Sequence, residues 1–154
     1  MNDSHLTPTD PRFLIAGYGV IGIGAMILIE HSDWFQSTKG LKDNIAFMKL
    51  DTPMNTRRIH ETLSGIDMVF ILGSDDDITA PPSALMLAMQ CMELGITCFT
   101  ALTITAPPGQ MDIATESLCN LSSQCLQFPD TIPVDQLNSY FRLVETVKTV
   151  IHPL

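Results

Sequence analysis

Three glycines near the start of the chain have the spacing of a phosphate-binding turn. Gly17, Gly19 and Gly22 form the pattern G-x-G-x-x-G after an apolar run, and glycines at this spacing permit a tight turn and close approach of backbone to phosphate. The acid that binds ribose in such sites is expected about 20 residues further on, whereas Asp51 lies 32 residues beyond Gly19. Two interpretations stay open: a dinucleotide site, or glycines that let the first helix pack closely on a sheet.

A second candidate site follows the apolar run at 68–72. Gly73 and Ser74 form a turn, and three consecutive acids come directly after it: Asp75, Asp76 and Asp77. Carboxylate oxygens are the ligands that hard cations prefer, so these acids are candidate ligands of a divalent metal ion. Acids before a helix also stabilise its N-terminus without any metal. In either case a triphosphate that no cation neutralises would be repelled.

No residue stands in a catalytic pattern. The four histidines have no Cys, Asp or Glu partner at ligand spacing, and no serine or cysteine lies in a nucleophile motif. The sequence therefore predicts no catalytic residue.

Predicted strands and helices alternate along the chain. Apolar runs and turn residues predict five strands, at 13–16, 45–50, 68–72, 96–104 and 125–128, and helices at about 20–31, 55–64, 81–94, 110–123 and 134–151. This alternation predicts a three-layer, doubly wound α/β fold of the Rossmann-like type, with a mostly parallel sheet of about five strands. We expect a single domain over residues 1–154, with a flexible segment at 1–11. The helix at 81–94 is apolar nearly all round, so it is expected to be buried on most faces, with Met86, Met89 and Met92 in the core.

Composition restricts the partners and the compartment. The net charge is −9 and the chain has no basic patch, which argues against nucleic acid and anionic membranes as partners. Its apolar runs are too short to span a membrane, and its first ten residues do not form a secretion signal. The four cysteines include no C-x-x-C pair, which favours free thiols and a cytoplasmic location.

The order of these pieces resembles a known family. The stretch 61–71, the Ala80–Pro81 pair, the apolar helix after it and the Thr-rich strand at 96–104 resemble the GTPase domain of the bacterial tubulin homologue FtsZ. The resemblance covers nearly the whole chain. It implies an FtsZ/tubulin-like fold in which Gly17, Gly19, Gly22, Asp51 and Gly73, with the adjacent Ser74, occupy positions of a nucleotide pocket.

The departures from that family lie where it binds and hydrolyses nucleotide. Its loop G-G-G-T-G-T-G is expected between Gly73 and Pro81, but this chain has Ser-Asp-Asp-Asp-Ile-Thr-Ala there, with no glycine. The chain also stops at Leu154, where the hydrolytic acids and the second domain of the family would follow. The resemblance therefore implies a degenerate, truncated member without GTPase activity.

Two functions remain as the main hypotheses, and an enzyme whose residues form no recognised pattern is a third, weaker one. The first is a non-catalytic module for protein interaction or self-association, whose partner is a second copy or, by the resemblance, a cytoskeletal or division protein. Tyr140, Phe141 or Leu143 of the last helix would then present an apolar patch. No cofactor is expected in this case. The alternative is a small-ligand or nucleotide-binding protein that uses the turn at 17–22, with a divalent ion at residues 75–77.

Overall fold

The computed structural model describes residues 11–38, 40–51, 53–75, 80–107, 109–129 and 136–151. Most of the predicted flexible segment at 1–11 lies outside these ranges. The elements follow one another as β1 (Phe13–Gly17), α1 (Gly19–Glu30), α2 (Asp33–Ser37), α3 (Leu41–Asn44), β2 (Ile45–Lys49), α4 (Thr56–Thr62), β3 (Met68–Ser74), α5 (Pro82–Leu94), β4 (Thr97–Ile104), α6 (Ile113–Leu121), β5 (Gln124–Pro129) and α7 (Gln136–Ile151).

The five strands form one parallel sheet in the order β2-β1-β3-β4-β5. Phe13 of β1 lies opposite Ile45 of β2 on one side and Met68 of β3 on the other. The strand order reverses between β1 and β3, as it does in doubly wound sheets of the flavodoxin-like order. The predicted α/β class, with a doubly wound parallel sheet of five strands, is confirmed.

Two hydrophobic cores lie on the two faces of the sheet. On one face, β-strand residues such as Phe70 and Leu72 pack with apolar side chains of α1, α2 and α7. On the other face, Val69 and Ile71 pack with α4, α5 and α6. All residues of β1 are buried, because a central parallel strand is covered by helices on both sides.

The predicted burial of α5 is wrong. Leu87, Ala88 and Cys91 are fully buried, but Met89 is 42% exposed and Met92 58%. A helix that lies on a sheet can bury only the side that faces it, and the neighbouring helices α4 and α6 leave the outer side of α5 open. The short helices α2 and α3 were not predicted, since four or five residues give too little periodicity to recognise.

The expectation of four free thiols is also wrong for one pair. Cys119 at the end of α6 and Cys125 on β5 form a disulfide, with Cα atoms 5.3 Å apart, within the usual range of about 4.4–6.8 Å. The tight turn between α6 and β5 brings these two residues together. Cys91 and Cys98 are free and buried.

Among the helices of the described ranges, none combines the length and the apolar character that a membrane crossing requires.

Candidate functional site

The predicted site residues meet at one edge of the sheet. Parallel strands end at the same edge, and here the ends of β1, β2, β3 and β4 bring Gly17, Asp51, Gly73 and Thr105 to it. In doubly wound folds, ligands bind at this edge where the strand order reverses. The structure thus brings the two candidate segments close together.

The glycines of the first turn are in contact with the chain's own backbone. A β-carbon at Gly22 would collide with the carbonyl oxygen of Leu72, and one at Gly17 would collide with the carbonyl of Gly22. Gly19 has a φ of +69°, which is costly for any residue with a side chain. Close packing of α1 on β1 and β3 therefore accounts for Gly17 and Gly22 without a ligand, and their role in ligand binding stays a prediction.

Tyr18 packs against the turn at Gly73 and Ser74. It is fully buried, its N–H donates to the carbonyl of Leu72 at 3.1 Å, and its ring lies where a β-carbon of Gly73 would be. Gly73 is therefore needed to accommodate an aromatic ring. Sequence reasoning missed Tyr18, although an aromatic residue between two glycines of such a turn could have drawn attention to it.

Asp51 occupies the N-terminus of α1. Its Oδ1 accepts a hydrogen bond from the N–H of Gly19 at 3.0 Å, whereas the side chain of Tyr18, at the N-cap position, makes no capping hydrogen bond. A helix N-terminus is the part of such a turn that attracts phosphate. A phosphate brought to about 4 Å from this carboxylate would meet a repulsion of about 4 kcal/mol at an effective dielectric constant of ~20.

Asp75 occupies a second set of backbone donors. Its Oδ1 accepts hydrogen bonds from the N–H and the hydroxyl of Thr105, at 2.7 and 2.9 Å, and its Oδ2 accepts from the N–H of Ala106 at 2.9 Å. This carboxylate therefore fastens the loop after β4 to the end of β3. Asp76 and Asp77 lie outside the described residues. Within the described ranges, no group of three or more His, Cys, Asp or Glu residues could hold a metal ion, so the metal site stays a prediction.

One small cavity lies beside β2 at this edge. Ser74 is 1% exposed, and the hydroxyl of Ser83, in the first turn of α5, donates to the carbonyl of Leu50 and closes the edge beside β2. The cavity lined by Leu50, Asp51 and Pro81 measures about 120 Å³. Sites for small molecules commonly measure about 300–1,000 Å³, so this cavity would hold only a fragment of a nucleotide.

An apolar surface lies elsewhere, on the helix pair α1 and α7. The two helices approach closely because the ring of Tyr140 packs on Gly24. On these two helices Val20 is 60% exposed and Phe141 53%, and Ile27 and Leu28 are also exposed. We call these four residues the α1–α7 face.

The patch predicted on the last helix is reduced to one residue. Of the three residues expected to form it, Leu143 is fully buried in the core and Tyr140 is half-buried against α1. Only Phe141 is exposed. The three residues are buried to different degrees because α7 packs against both α1 and the sheet.

No model of a protein family matches this chain, and no curated protein matches it. Two solved structures with similar folds are an NADPH-quinone reductase from P. pentosaceus and an AraC family transcriptional regulator from Pseudomonas putida. The reductase is 9% identical with a TM-score of 0.49, and the match covers 89% of this chain and 97% of that one. The regulator is 12% identical with a TM-score of 0.42, and the match covers 92% of this chain and 100% of the other.

The resemblance to FtsZ and tubulin is wrong. The similar structures are a quinone reductase and a transcriptional regulator, and neither is a tubulin or FtsZ protein. The sequence features shared with that family are a buried strand, an apolar helix and a Thr-rich strand. Many doubly wound sheets contain such segments, because their strands and helices are buried against each other in the same way. At these TM-scores neither neighbour carries an argument about the function of this chain.

Proposed function

We propose that this domain is a non-catalytic protein-interaction module that self-associates through the α1–α7 face. The single observation that carries the proposal is the exposure of four large apolar side chains on one helix pair: Val20, Ile27, Leu28 and Phe141. Exposed apolar residues that share one face of a folded domain mark interaction surfaces.

The occupied sheet edge supports a non-catalytic function. Asp51 and Asp75 already accept hydrogen bonds from the backbone groups that would bind an anionic substrate. Since the described residues of this edge include no nucleophile–base pair either, the edge contributes to stability rather than to chemistry.

Charge on the α1 part of the face does not oppose a second copy as the partner. The chain carries a net charge of −9, so two copies repel one another over most of their surfaces. Residues 19–29 of α1 contain no charged side chain, and a symmetric contact between two α1–α7 faces would therefore bury apolar area without placing these charges against each other.

Sedimentation analysis of the full chain over a wide concentration range tests this proposal. We expect a reversible equilibrium between the 16.9 kDa monomer and a dimer. Phe141→Asp should weaken dimerisation at least about tenfold, equivalent to about 1.4 kcal/mol, because it places a charge in an apolar contact.

Ile113→Asp is the matched control. Ile113 is 84% exposed on α6, which packs on the opposite face of the sheet, so this variant should dimerise like the unaltered chain. A chain that stays monomeric at high concentration, or a dimer that Phe141→Asp and Leu28→Asp leave unchanged, would contradict the proposal. A monomer that co-sediments only with another protein would assign the face to that partner instead.

A further inference from the structure

All four cysteines lie in one core on the same face of the sheet. Cys91 of α5 and Cys98 of β4 are buried there, and Cys119 of α6 and Cys125 of β5 pack against that core while remaining half-buried. The outer pair is the disulfide and the inner pair consists of free thiols. The chain therefore places an accessible disulfide beside a buried dithiol.

The short loop that the disulfide closes covers Cys98. Ser123, between the two bonded cysteines, accepts a hydrogen bond through its Oγ from the N–H of Cys98 at 3.0 Å. Its own N–H donates to the carbonyl of Cys98 at 2.9 Å. Both backbone polar groups of Cys98 are thus bonded to one loop residue.

The neighbouring residue, Ser122, connects the same loop to α6 and β4 through its side chain. Ser122 Oγ donates to the carbonyl of Leu118 at 2.7 Å and lies 2.5 Å from the hydroxyl of Thr100. Thr100 is opposite Cys125 in the β4–β5 register. The hydrogen bond from the Cys91 thiol lowers the pKa of the Cys98 thiol against the opposing effect of burial, which favours the nucleophilic thiolate.

We propose that Cys119 and Cys125 form a reversible thiol–disulfide exchange site, whose reduction by a dithiol releases the loop at 122–123 and makes the Cys98 thiol reactive. The position of the bond supports this assignment. It joins a nine-residue helix to an edge strand, α6 to β5, and both of its cysteines are half-buried. An attacking thiol therefore has access to the bond, and access is one of the factors that set the exchange rate.

The exchange step balances with a dithiol reductant. One thiolate of the reductant forms a bond to one sulfur of the Cys119–Cys125 pair, the protein disulfide breaks, and the released sulfur takes up a proton. The second thiol of the reductant then displaces the other cysteine, which is also protonated. Two electrons and two protons reach the protein, and the reductant leaves as its own disulfide.

Alkylation of the full chain with iodoacetamide, read by peptide mass spectrometry, tests the proposal with dithiothreitol as the dithiol. After treatment with excess oxidised glutathione, Cys119 and Cys125 should resist labelling and Cys98 should label slowly. After reduction, Cys119 and Cys125 should label, and Cys98 should label at least about tenfold faster, because a protected group reacts through local opening of its cover.

Two variants separate the loop from the bond. Cys119→Ser combined with Cys125→Ser should give fast labelling of Cys98 with or without reductant. Ser123→Ala keeps the disulfide but removes the acceptor for the Cys98 N–H, so it should speed labelling of Cys98 in the oxidised chain. Ser37→Ala, an exposed position on α2 across the sheet, is the matched control and should change nothing.

Three results would overturn the inference. The first is labelling of Cys119 and Cys125 in the oxidised chain, which would mean that no disulfide forms. The second is a labelling rate of Cys98 that reduction does not change. The third is global unfolding on reduction, seen as loss of far-ultraviolet circular dichroism with Cys91 labelled as fast as Cys98, which would make the bond purely structural.

Discussion

At Gly22, helix α1 lies so close to β3 that a β-carbon would collide with the carbonyl oxygen of Leu72. Gly17 and Gly73 have the same role at neighbouring points, against α1 and against the ring of Tyr18. At this scale the glycine pattern is a packing device. Asp51, two residues beyond the end of β2, adds a polar contact because its carboxylate accepts a hydrogen bond from the N–H of Gly19.

Gly22→Ala should lower the free energy of unfolding by about 1–3 kcal/mol, the usual cost of overpacking. Alanine in a helix interior would otherwise stabilise by about 0.5–1 kcal/mol relative to glycine, so the sign of the change is informative. Urea unfolding followed by circular dichroism measures it. Met92→Ala, at an exposed position of α5 outside the α1–α7 face, should stay within about 0.5 kcal/mol. A stabilised Gly22→Ala variant would show that α1 can move away from β3.

At the scale of elements, the end of β3 is fastened to the loop after β4 by one carboxylate. Asp75 accepts from Thr105 twice and from Ala106 once, and its own N–H donates to the carbonyl of Thr103 at 3.2 Å. The loop that leads from β4 towards α6 is therefore held by a residue that the sequence suggested as a metal ligand.

Asp75→Ala should destabilise the fold by about 2–3 kcal/mol, because hydrogen bonds to a charged group contribute about 1.5–3 kcal/mol each and the freed amides become partly exposed to water. The amides of Thr105 and Ala106 should exchange hydrogen faster than in the unaltered chain, as NMR can measure. Glu116→Ala, an exposed position on α6, serves as the control. Unchanged exchange at both amides would mean that Asp75 does not hold this loop.

At the scale of the whole molecule, the chain combines a doubly wound sheet with an occupied ligand edge and exposed apolar helices. At the edge where such sheets bind ligands, Asp51, Asp75 and Ser83 make hydrogen bonds to the chain's own backbone, and Tyr18 is buried. Most of the large exposed apolar side chains of the described residues lie on α1, α7 and the outer side of α5, with one more each on α6 and β5.

GTP, ATP or NAD, with or without Mg²⁺, should leave the melting temperature of the chain unchanged in a thermal-shift measurement. A ligand at 100 times its Kd would stabilise the fold by about 2.7 kcal/mol and raise the melting temperature by several degrees. We expect no shift because internal carboxylates occupy the anion-binding N–H groups. Stabilisation that requires Mg²⁺ would favour the alternative of a nucleotide with a divalent ion at residues 75–77.

The sequence by itself determined the layered α/β architecture, in which helices cover both faces of a parallel sheet. Alternating apolar strands and amphipathic or apolar helices with glycine and proline boundaries predicted the five strands and five of the helices, because burial against both faces of a sheet fixes local hydrophobic patterns. The same patterns could not identify a family, since many unrelated doubly wound sheets share them. The sequence could not predict the exposed side of α5 or the burial of Leu143 either, because hydrophobic periodicity does not show how many neighbouring elements a helix packs against.

Only the tertiary structure decided what the candidate residues do. Asp51 is 32 residues from Gly19, and Asp75 is 30 from Thr105, so no local pattern could have paired them. The Cys119–Cys125 pair and the loop that covers Cys98 likewise depend on how α6 returns to β5. Hydrogen bonds and thiol pairs depend on distances of a few ångströms between groups that only the folded sheet brings together.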